Sequence, residues 1–146
     1  MAAYTEEFSE VHQVGAELLV QNRAAAVYQS AWFDMSIHHR MAYVLQVGAI
    51  AAGGSVDLVL QEASDNTGTG AANIAGKAIA QLTQAGGDGN DVCIIELRTE
   101  EMTPGFDFVR AVLTVAGNTA FTGGLGYGIV NRYAPVATGL VTEIVA

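Results

Sequence analysis

The sequence holds one cysteine, Cys93, and only two prolines among its 146 residues. A single cysteine excludes a disulfide within the chain and a zinc site made of clustered cysteines. So few prolines exclude a proline-rich linker and a collagen. The length fits one domain with a sizeable core of its own.

Charge is also scarce, since charged residues make up 14% of the chain against ~25% in an average protein. Six lysines and arginines stand against fifteen aspartates and glutamates, which gives a net charge of −9. A chain this acidic repels phosphate backbones, so we expect no nucleic-acid partner. Hydrophobic residues reach 51% of the chain, and that fraction excludes intrinsic disorder.

The N-terminal region carries four glutamates and no basic residue before Arg23, unlike a secretory signal. The longest uncharged stretch, residues 111–131, contains five glycines and alternates in the manner of two strands. A membrane-spanning helix would need a continuous apolar run. We therefore expect neither a signal peptide nor a membrane partner.

From residue 25 onward apolar and polar residues alternate, with the period of a strand that has one buried face. Over residues 32–41 the alternation predicts that Phe33 and His39 lie on the apolar face and that His38 lies on the polar face. Turn-rich segments separate further predicted strands at 43–49, 56–61, 77–83, 92–98, 106–115 and 121–133. About seven or eight short strands without a long helix favour an antiparallel sandwich or barrel over βαβ units. We predict an all-β, jelly-roll-like antiparallel β-sandwich with an N-terminal arm.

The chain divides into three predicted parts. Residues 1–24 lack the period of two, and we interpret them as an N-terminal arm that orders on contact with a partner. Residues 25–135 form the predicted β-sandwich domain, and residues 136–146 form an extended C-terminal tail. The apolar residues through which the arm is expected to dock are Phe8, Val11, Leu18 and Leu19.

Two loops show partial calcium-binding patterns. Residues 86–92 match the start of a β-roll nonapeptide, which needs stacked copies, and the chain has one copy. Residues 65–70 depart from the EF-hand spacing at ligand positions. His38 and His39 are adjacent in a predicted strand and point to opposite faces, so they cannot share a metal ion. We expect no cofactor, although the carboxylates of the 86–92 loop leave a weak calcium site open.

The sequence contains no catalytic constellation. Cys93 falls on the apolar face of its predicted strand, where a thiol usually packs without reacting. The nucleophile-elbow motif is absent, and the glycine-rich residues 123–128 lack the spacing of a nucleotide-binding loop. Their glycines alternate within a strand, which indicates close approach of another backbone or surface. We predict that the protein is not an enzyme and that this strand makes assembly contacts.

Several segments carry a resemblance to a known class of protein. They are residues 32–35 (WFDM), 45–51 (LQVGAIA), 56–63 (VDLVLQEA), 108–110 (FVR) with 113–115 (LTV), and 132–135 (RYAP). In their strand texture they resemble small virion proteins encoded beside the capsid genes of tailed bacteriophages. The resemblance implies a capsid decoration (cement) protein with a β-sandwich or β-barrel core that forms a homotrimer. It covers about residues 30–135 and does not extend to residues 1–24.

The resemblance also implies a partner and a location: the lattice of the major capsid protein, on the virion exterior, assembled in the bacterial host cytoplasm. The apolar excess agrees, because apolar side chains beyond the need of one core must be covered by assembly contacts. Arg110 and Arg132 are expected to pair with carboxylates such as Asp107 or Asp57. The candidate assembly contacts are Phe8, Val11, Leu18, Leu19, Trp32, Arg110, Gly124, Gly126, Tyr127, Arg132 and Tyr133.

Two alternatives stay open at this point. The first is another virion component, such as a head–tail connector or a tail or fibre-associated protein. The second is a carbohydrate-binding β-sandwich, in which exposed aromatic rings would stack on sugars. The candidate platforms are Trp32, Tyr43, Tyr127 and Tyr133.

Overall fold

A computed structural model of the chain describes residue 8 and residues 12–131. Ten strands form within these residues: β1 His12–Arg23, β2 Ala26–Gln29, β3 Phe33–Asp34, β4 His38–Ile50, β5 Ser55–Ala63, β6 Ala72–Ala78, β7 Leu82–Thr83, β8 Val92–Arg98, β9 Phe108–Ala116 and β10 Ala120–Asn131. A short 3-10 helix, Thr99–Glu101, follows β8. In this part of the chain, no helix has the length and apolarity that crossing a membrane requires.

The strands form two antiparallel sheets. The four-stranded sheet has the order β1-β10-β4-β8, and the six-stranded sheet has the order β2-β9-β5-β6 with β3 beside β9 and β7 beside β5. The pairs β1–β10, β2–β9, β4–β8 and β5–β6 are nested, so the chain resembles one long hairpin wrapped around itself. This nesting over two sheets is the jelly-roll arrangement. The predicted fold class is therefore confirmed.

The hydrophobic core lies between the two sheets. The four-stranded sheet contributes Met41, Tyr43 and Leu45 at alternate positions of β4, and the six-stranded sheet contributes Leu58 and Leu60 from β5; all are at most 1% exposed. Burial of a side chain of this size stabilises the fold by ~1.5–3 kcal/mol. Because side chains alternate along a strand, the intervening residues of β4 and β5 point away from the core.

The structure differs from the predicted N-terminal arm over residues 12–23, which form β1 and pair with β10 in the four-stranded sheet. Leu18, expected to dock on a partner, is buried in the core of its own chain. The pairing register shifts on both sides of Leu18, and Ala16 has a positive φ of 48°. These bulges interrupt the alternation of side chains, which explains why the segment reads as aperiodic. Apart from Phe8, the rest of the predicted arm and the predicted tail lie outside the described residues.

The two adjacent histidines are split into one buried and one exposed residue as predicted, but which of them is buried is predicted wrongly. A turn at residues 36–37 separates β3 from β4, and the amide of His38 donates to the carbonyl of Met35 at 3.1 Å. His38 is fully buried, whereas His39 and Arg40 are both exposed and Met41 is buried again, so the first residues of β4 do not alternate. The ring of His38 stacks on Phe33 with 5.2 Å between centroids. Its Nε2 lies 2.9 Å from Oε1 of Gln13.

The predicted strand boundaries agree best in the second half of the chain. β8 covers residues 92–98 as predicted, and β9 and β10 lie close to the predicted 106–115 and 121–133. The predicted strand at 77–83 does not form, because β6 ends at Ala78 and β7 begins at Leu82. Both short strands pair with β5, one beyond the other.

Candidate assembly surface

The outer face of the four-stranded sheet carries apolar side chains in adjacent positions. Residues directly opposite each other in an antiparallel pair share a face. Val44 of β4 lies opposite Leu125 of β10 on one side and Ile94 of β8 on the other. Tyr43 and Leu45 point into the core, so this row of three faces outwards.

Neighbouring rows extend the same surface. Val92 and Ile94 are each 60% exposed, and Phe121 is also exposed. We name the apolar face by six residues: Val44, Val92, Ile94, Phe121, Leu125 and Tyr127. Leu19 and Val20 of β1 flank it and help to line a groove of about 500 Å³ over Val44 and Leu125. A contiguous exposed apolar patch of this kind marks an interaction surface.

The outer face of the six-stranded sheet carries a polar cluster beside Val59, Val112 and the exposed Val27. Arg110 lies opposite Gln61 and donates from Nε and Nη2 to its Oε1 at 3.0 and 2.8 Å. Its Nη1 donates to Oε1 of Gln29 at 3.0 Å, and Gln61 in turn donates to Asn73. The expectation of a carboxylate partner for Arg110 is therefore wrong, because the neighbouring strands present amides at these positions. Exposed large apolar side chains are more numerous in the four-stranded sheet, which holds Leu19, Val20, Val92, Ile94 and Phe121, than in the six-stranded sheet, which holds Val27.

Trp32 lies beside this polar cluster, is partly buried, and has neighbours of its own chain packed against its indole. The Cζ atom of Arg110 stands 4.5 Å from the centroid of the indole. A Cβ built on Gly68 would lie only 3.0 Å from indole Cζ2. Tyr43, another candidate platform, is fully buried. These contacts count against the carbohydrate-binding alternative, which needs rings with an open face.

The glycines of β10 make room for the chain's own core. A Cβ on Gly124 would lie 2.7 Å from the phenol oxygen of Tyr43, and a Cβ on Gly126 would overlap the methyl of Met41. Both glycines are buried. The close approach that their pattern predicts takes place inside this chain, and the exposed side of the strand belongs to Leu125 and Tyr127.

The structure places the predicted contact residues in different parts of the molecule. Phe8 is 57% exposed; its ring stacks on His12 at 4.3 Å and meets the edge of Tyr127 at 5.9 Å. Leu19 is 65% exposed beside the apolar face. Trp32 and Arg110 lie on the other sheet. Val11, Arg132 and Tyr133 lie outside the described residues.

The sequence reasoning missed most of the apolar face. A signal was present in residues 92–95 (VCII), where both faces of one strand are apolar. In an antiparallel sandwich the outer face is normally polar. Apolar residues at both parities therefore indicate a second surface that is covered in the working state.

The described part of the chain holds neither an activated thiol nor a group of metal-ligating side chains. Burial raises the pKa of the Cys93 thiol, and the carboxylates of Asp91 and Asp88 raise it further. Among the described residues, no three His, Cys, Asp or Glu side chains are grouped to hold a metal ion.

Three of the six basic residues converge at one end of the four-stranded sheet. Arg40 and Arg98 lie directly opposite each other in β4 and β8. Lys77 donates to the carbonyl of Glu96 at 2.7 Å and forms an ion pair with Glu101 at 2.8 Å. Hydrogen bonds from Lys77 and from the Arg98 amide hold the pKa of Glu101 below its ordinary value. A groove of about 390 Å³ runs between these side chains.

No protein-family model matches the sequence, and no curated protein matches it significantly. Among solved structures, the chain is similar to the crystal structure of the infectious bursal disease virus VP2 subviral particle, with a TM-score of 0.51 and 10% identity over 85% of this chain and 34% of that chain. Structures of the Gt and Gx strains of the same virus both give a TM-score of 0.49, with 13% and 11% identity over 89% and 87% of this chain and 38% and 35% of theirs. The chain therefore spans about a third of the length of these proteins. What the first of these matches establishes is a shared fold, the β-sandwich of a viral capsid protein.

Proposed function

We propose that this chain is a structural virion protein that binds and stabilises a phage capsid shell as a decoration (cement) protein. The observation that carries the proposal is the apolar outer face of the four-stranded sheet. A β-sandwich whose exposed large apolar side chains concentrate in one sheet suits a molecule with that side against a partner and the other in water. The resemblance of residues 30–135 to small phage virion proteins supports the same role.

The energetics of such an attachment need no catalytic group. Apolar surface removed from water contributes ~25 cal/mol per Å², and a specific interface buries about 1,000 Å² or more. Repetition of one contact over a shell adds avidity without new chemistry. The net charge of −9 keeps the free protein soluble until the shell is available.

We further propose that the chain works as a homotrimer on the virion exterior, assembled in the bacterial host cytoplasm. Association through part of the apolar face would cover side chains that are exposed in the single chain. Sedimentation equilibrium at micromolar concentration tests this. The expected mass is three times that of the 15.2 kDa chain. A monomer, both free and when released from the shell, contradicts the trimer.

The attachment is tested with shells assembled from the major capsid protein of the genome that encodes the chain. The variant Val92→Asp puts a charge on the apolar face, and its control Val27→Asp puts a charge on a valine of similar exposure, 58%, in the six-stranded sheet. Burying an unpaired carboxylate opposes association, so we expect shell occupancy in co-sedimentation to fall at least ~10-fold for Val92→Asp. The control should bind as the unchanged protein does.

Three results would contradict the proposal. The first is equal binding by both variants. The second is equal loss by both variants. The third is attachment of the unchanged protein to the neck, tail or fibres while the shell stays bare, which would favour the alternative virion component.

A further inference from the structure

Strand β8 forms a free edge of the four-stranded sheet, and the direction of its backbone groups alternates along the strand. The Asp91 carbonyl accepts from the Val47 amide of β4 at 2.9 Å, so the odd-numbered residues of β8 bond with β4. The N–H and C=O groups of the even-numbered residues, from Val92 to Arg98, therefore point away from the sheet.

Side chains of the same chain occupy one half of this edge. Lys77 donates from Nζ to the carbonyl of Glu96 at 2.7 Å. The amide of Arg98 donates to Oε2 of Glu101 at 2.8 Å. A charged side chain over an edge is one of the devices that keep a strand from pairing with another chain. The C-terminal half of β8 is therefore blocked.

The N-terminal half of the same edge is open. The outward N–H and C=O groups of Val92 and Ile94 have no hydrogen-bond partner among the described residues. Their side chains belong to the apolar face and are each 60% exposed. We call these two residues with their outward backbone groups the open half of β8. It offers two donors and two acceptors beside an apolar surface.

The other edge strands are protected by their shape. The pairing register of β1 shifts twice, and β2 has only four residues. β6 has a positive φ of 73° at Gly76, and its pairing with β5 contains a register shift. Bulges and shortness both hinder the addition of a further strand. β8 pairs with β4 over seven residues without a shift, so among these four edges it is the long and regular one.

The charge beside the open half indicates what kind of strand would fit. Asp91 directly precedes it and is exposed. The carboxylates of Asp88 and Asp91 lie close enough to Cys93 to raise the pKa of its thiol, and neither forms an ion pair with a described basic residue. A second copy with its net charge of −9 is a poor match, because self-pairing centred on the open half would bring Glu96 next to the other copy's acidic loop. A basic segment is the complementary partner.

We propose that the open half of β8 binds an extended, basic segment of another protein as an added antiparallel strand. Apolar residues at alternate positions of that segment lie opposite Val92 and Ile94 and extend the apolar face. In an antiparallel pair the C-terminal part of the added strand meets the N-terminal end of β8. The basic residues therefore follow the apolar ones and meet Asp88 and Asp91. This inference goes beyond the proposed function, since it holds for a segment from any protein.

A synthetic peptide in which valine and threonine alternate and two lysines follow is the probe. It is titrated into the ¹⁵N-labelled full chain, and amide shifts and hydrogen exchange are recorded by NMR. We expect a Kd of ~1 mM or tighter and slower exchange at the amides of Val92 and Ile94, because both become hydrogen-bonded. Methylation of the valine amides removes the peptide's donors, and we expect it to weaken binding at least ~10-fold. Glutamates in place of the lysines should weaken it to a similar extent.

The variant Ile94→Pro removes one outward N–H, and we expect it to bind the peptide at least ~10-fold more weakly. Its control is Val27→Pro in β2. The amide of Ser30 donates to Ala111 of β9, so the amide of Val27, three residues earlier, points outward from its own edge. Val27 has a similar exposure of 58%, and its replacement should leave peptide binding unchanged.

Four results would overturn the proposal. They are no change at the two β8 amides with ~1 mM peptide, equal binding by the methylated peptide, equal binding by the glutamate peptide, and equal effects of the two proline variants. Slower exchange that depends on the concentration of the protein alone would also overturn it, because the edge would then pair with a second copy. The methylated peptide tests the contact in the unchanged protein. A failure in these tests leaves the shell co-sedimentation result as it stands, so the two proposals fail separately.

Discussion

The phenol oxygen of Tyr43 stands over Gly124, 2.7 Å from where a Cβ on that glycine would be. Tyr43 is fully buried, and its hydroxyl finds no hydrogen-bond partner among the described residues. Burial raises the pKa of the hydroxyl well above its ordinary value, although Arg23 lowers it in part. The ring fits the core because position 124 has no side chain.

Gly124→Ala should therefore destabilise the protein by about 1–3 kcal/mol, the usual cost of overpacking a well-filled core. Gly126→Ala should also destabilise the protein: the flexible end of Met41 can move aside, but the added Cβ would lie 3.1 Å from the backbone oxygen of Gly15. Urea unfolding measures both changes. Gly89→Ala is the control, since a Cβ there meets only an ordinary contact at 3.5 Å. Equal midpoints for Gly124→Ala and Gly89→Ala would contradict the packing role.

Glu62 is buried near the end of β5, and its Oε2 accepts from the amide of Thr103 at 2.8 Å. Its Oε1 accepts from the Thr103 hydroxyl. Glu62→Ala leaves these donors without their partner, and we expect a loss of ~1–3 kcal/mol in unfolding free energy. The comparison is Glu100→Ala, an exposed acid of the adjoining segment, which should stay within about ±0.5 kcal/mol. A similar effect of the two substitutions would show that the buried contacts are unimportant.

Asp65 organises the loop that covers Trp32. Hydrogen bonds from Thr69 and Thr67 hold the pKa of Asp65 well below its ordinary value. A depressed folded pKa contributes stability that is present above the unfolded pKa of ~3.9 and lost as pH falls through the lower folded pKa. The unfolding free energy of the unchanged protein should exceed that of Asp65→Asn at pH 7, and the difference should shrink as pH falls below ~4.

Fluorescence of Trp32, the one tryptophan of the chain, reports this titration during urea unfolding. Asp57→Asn serves as the control, since its carboxylate accepts from Gln81 on another part of the surface. A difference between Asp65→Asn and the unchanged protein that is constant from neutral to acid pH would contradict the assignment.

Duplex DNA should not bind. Arg23 is buried, Arg110 lies on the six-stranded sheet, and Arg40 and Arg98 lie on the four-stranded sheet. The described basic residues therefore do not form one continuous patch along which phosphates could track. Titration at ~0.15 M salt should give no affinity tighter than ~10⁻⁶ M. Tighter binding would move the proposed position from the outer shell to the head–tail junction.

The two-sheet fold could be predicted because most strands keep a regular period of two. β8 is the clearest case, with Ile95 and Leu97 buried as the alternation requires. β1 could not be found in this way, because the positive φ of Ala16 and the two register shifts move its side chains out of phase. His38 was placed on the wrong face for a related reason, since the first four residues of β4 are buried, exposed, exposed and buried, which departs from a period of two.

The sequence predicted that a covered apolar surface exists, but it did not predict where on the fold this surface lies. An excess of apolar residues over charged ones indicates covered surface, and the apolar face of the four-stranded sheet provides it. Gly124 and Gly126 pointed to β10, but their small size serves the internal rings and methyl groups. Which side of a strand faces solvent depends on strand order, and strand order is set by pairings between distant segments.

The place of β10 in the sheet order has a consequence for how the protein comes into being. His12 pairs with Ile129, so a ladder joins residues from near the two ends of the described chain. β10 lies between β1 and β4 and pairs with both, so it is the strand that joins β1 to the rest of this sheet. During synthesis the four-stranded sheet therefore cannot be completed until Asn131 has left the ribosome. The apolar sides of β1 and β4 stay exposed until then. A chain cut short before β10 loses the strand that joins β1 to β4, and we expect such fragments to be bound by chaperones or degraded rather than to fold into a smaller sandwich.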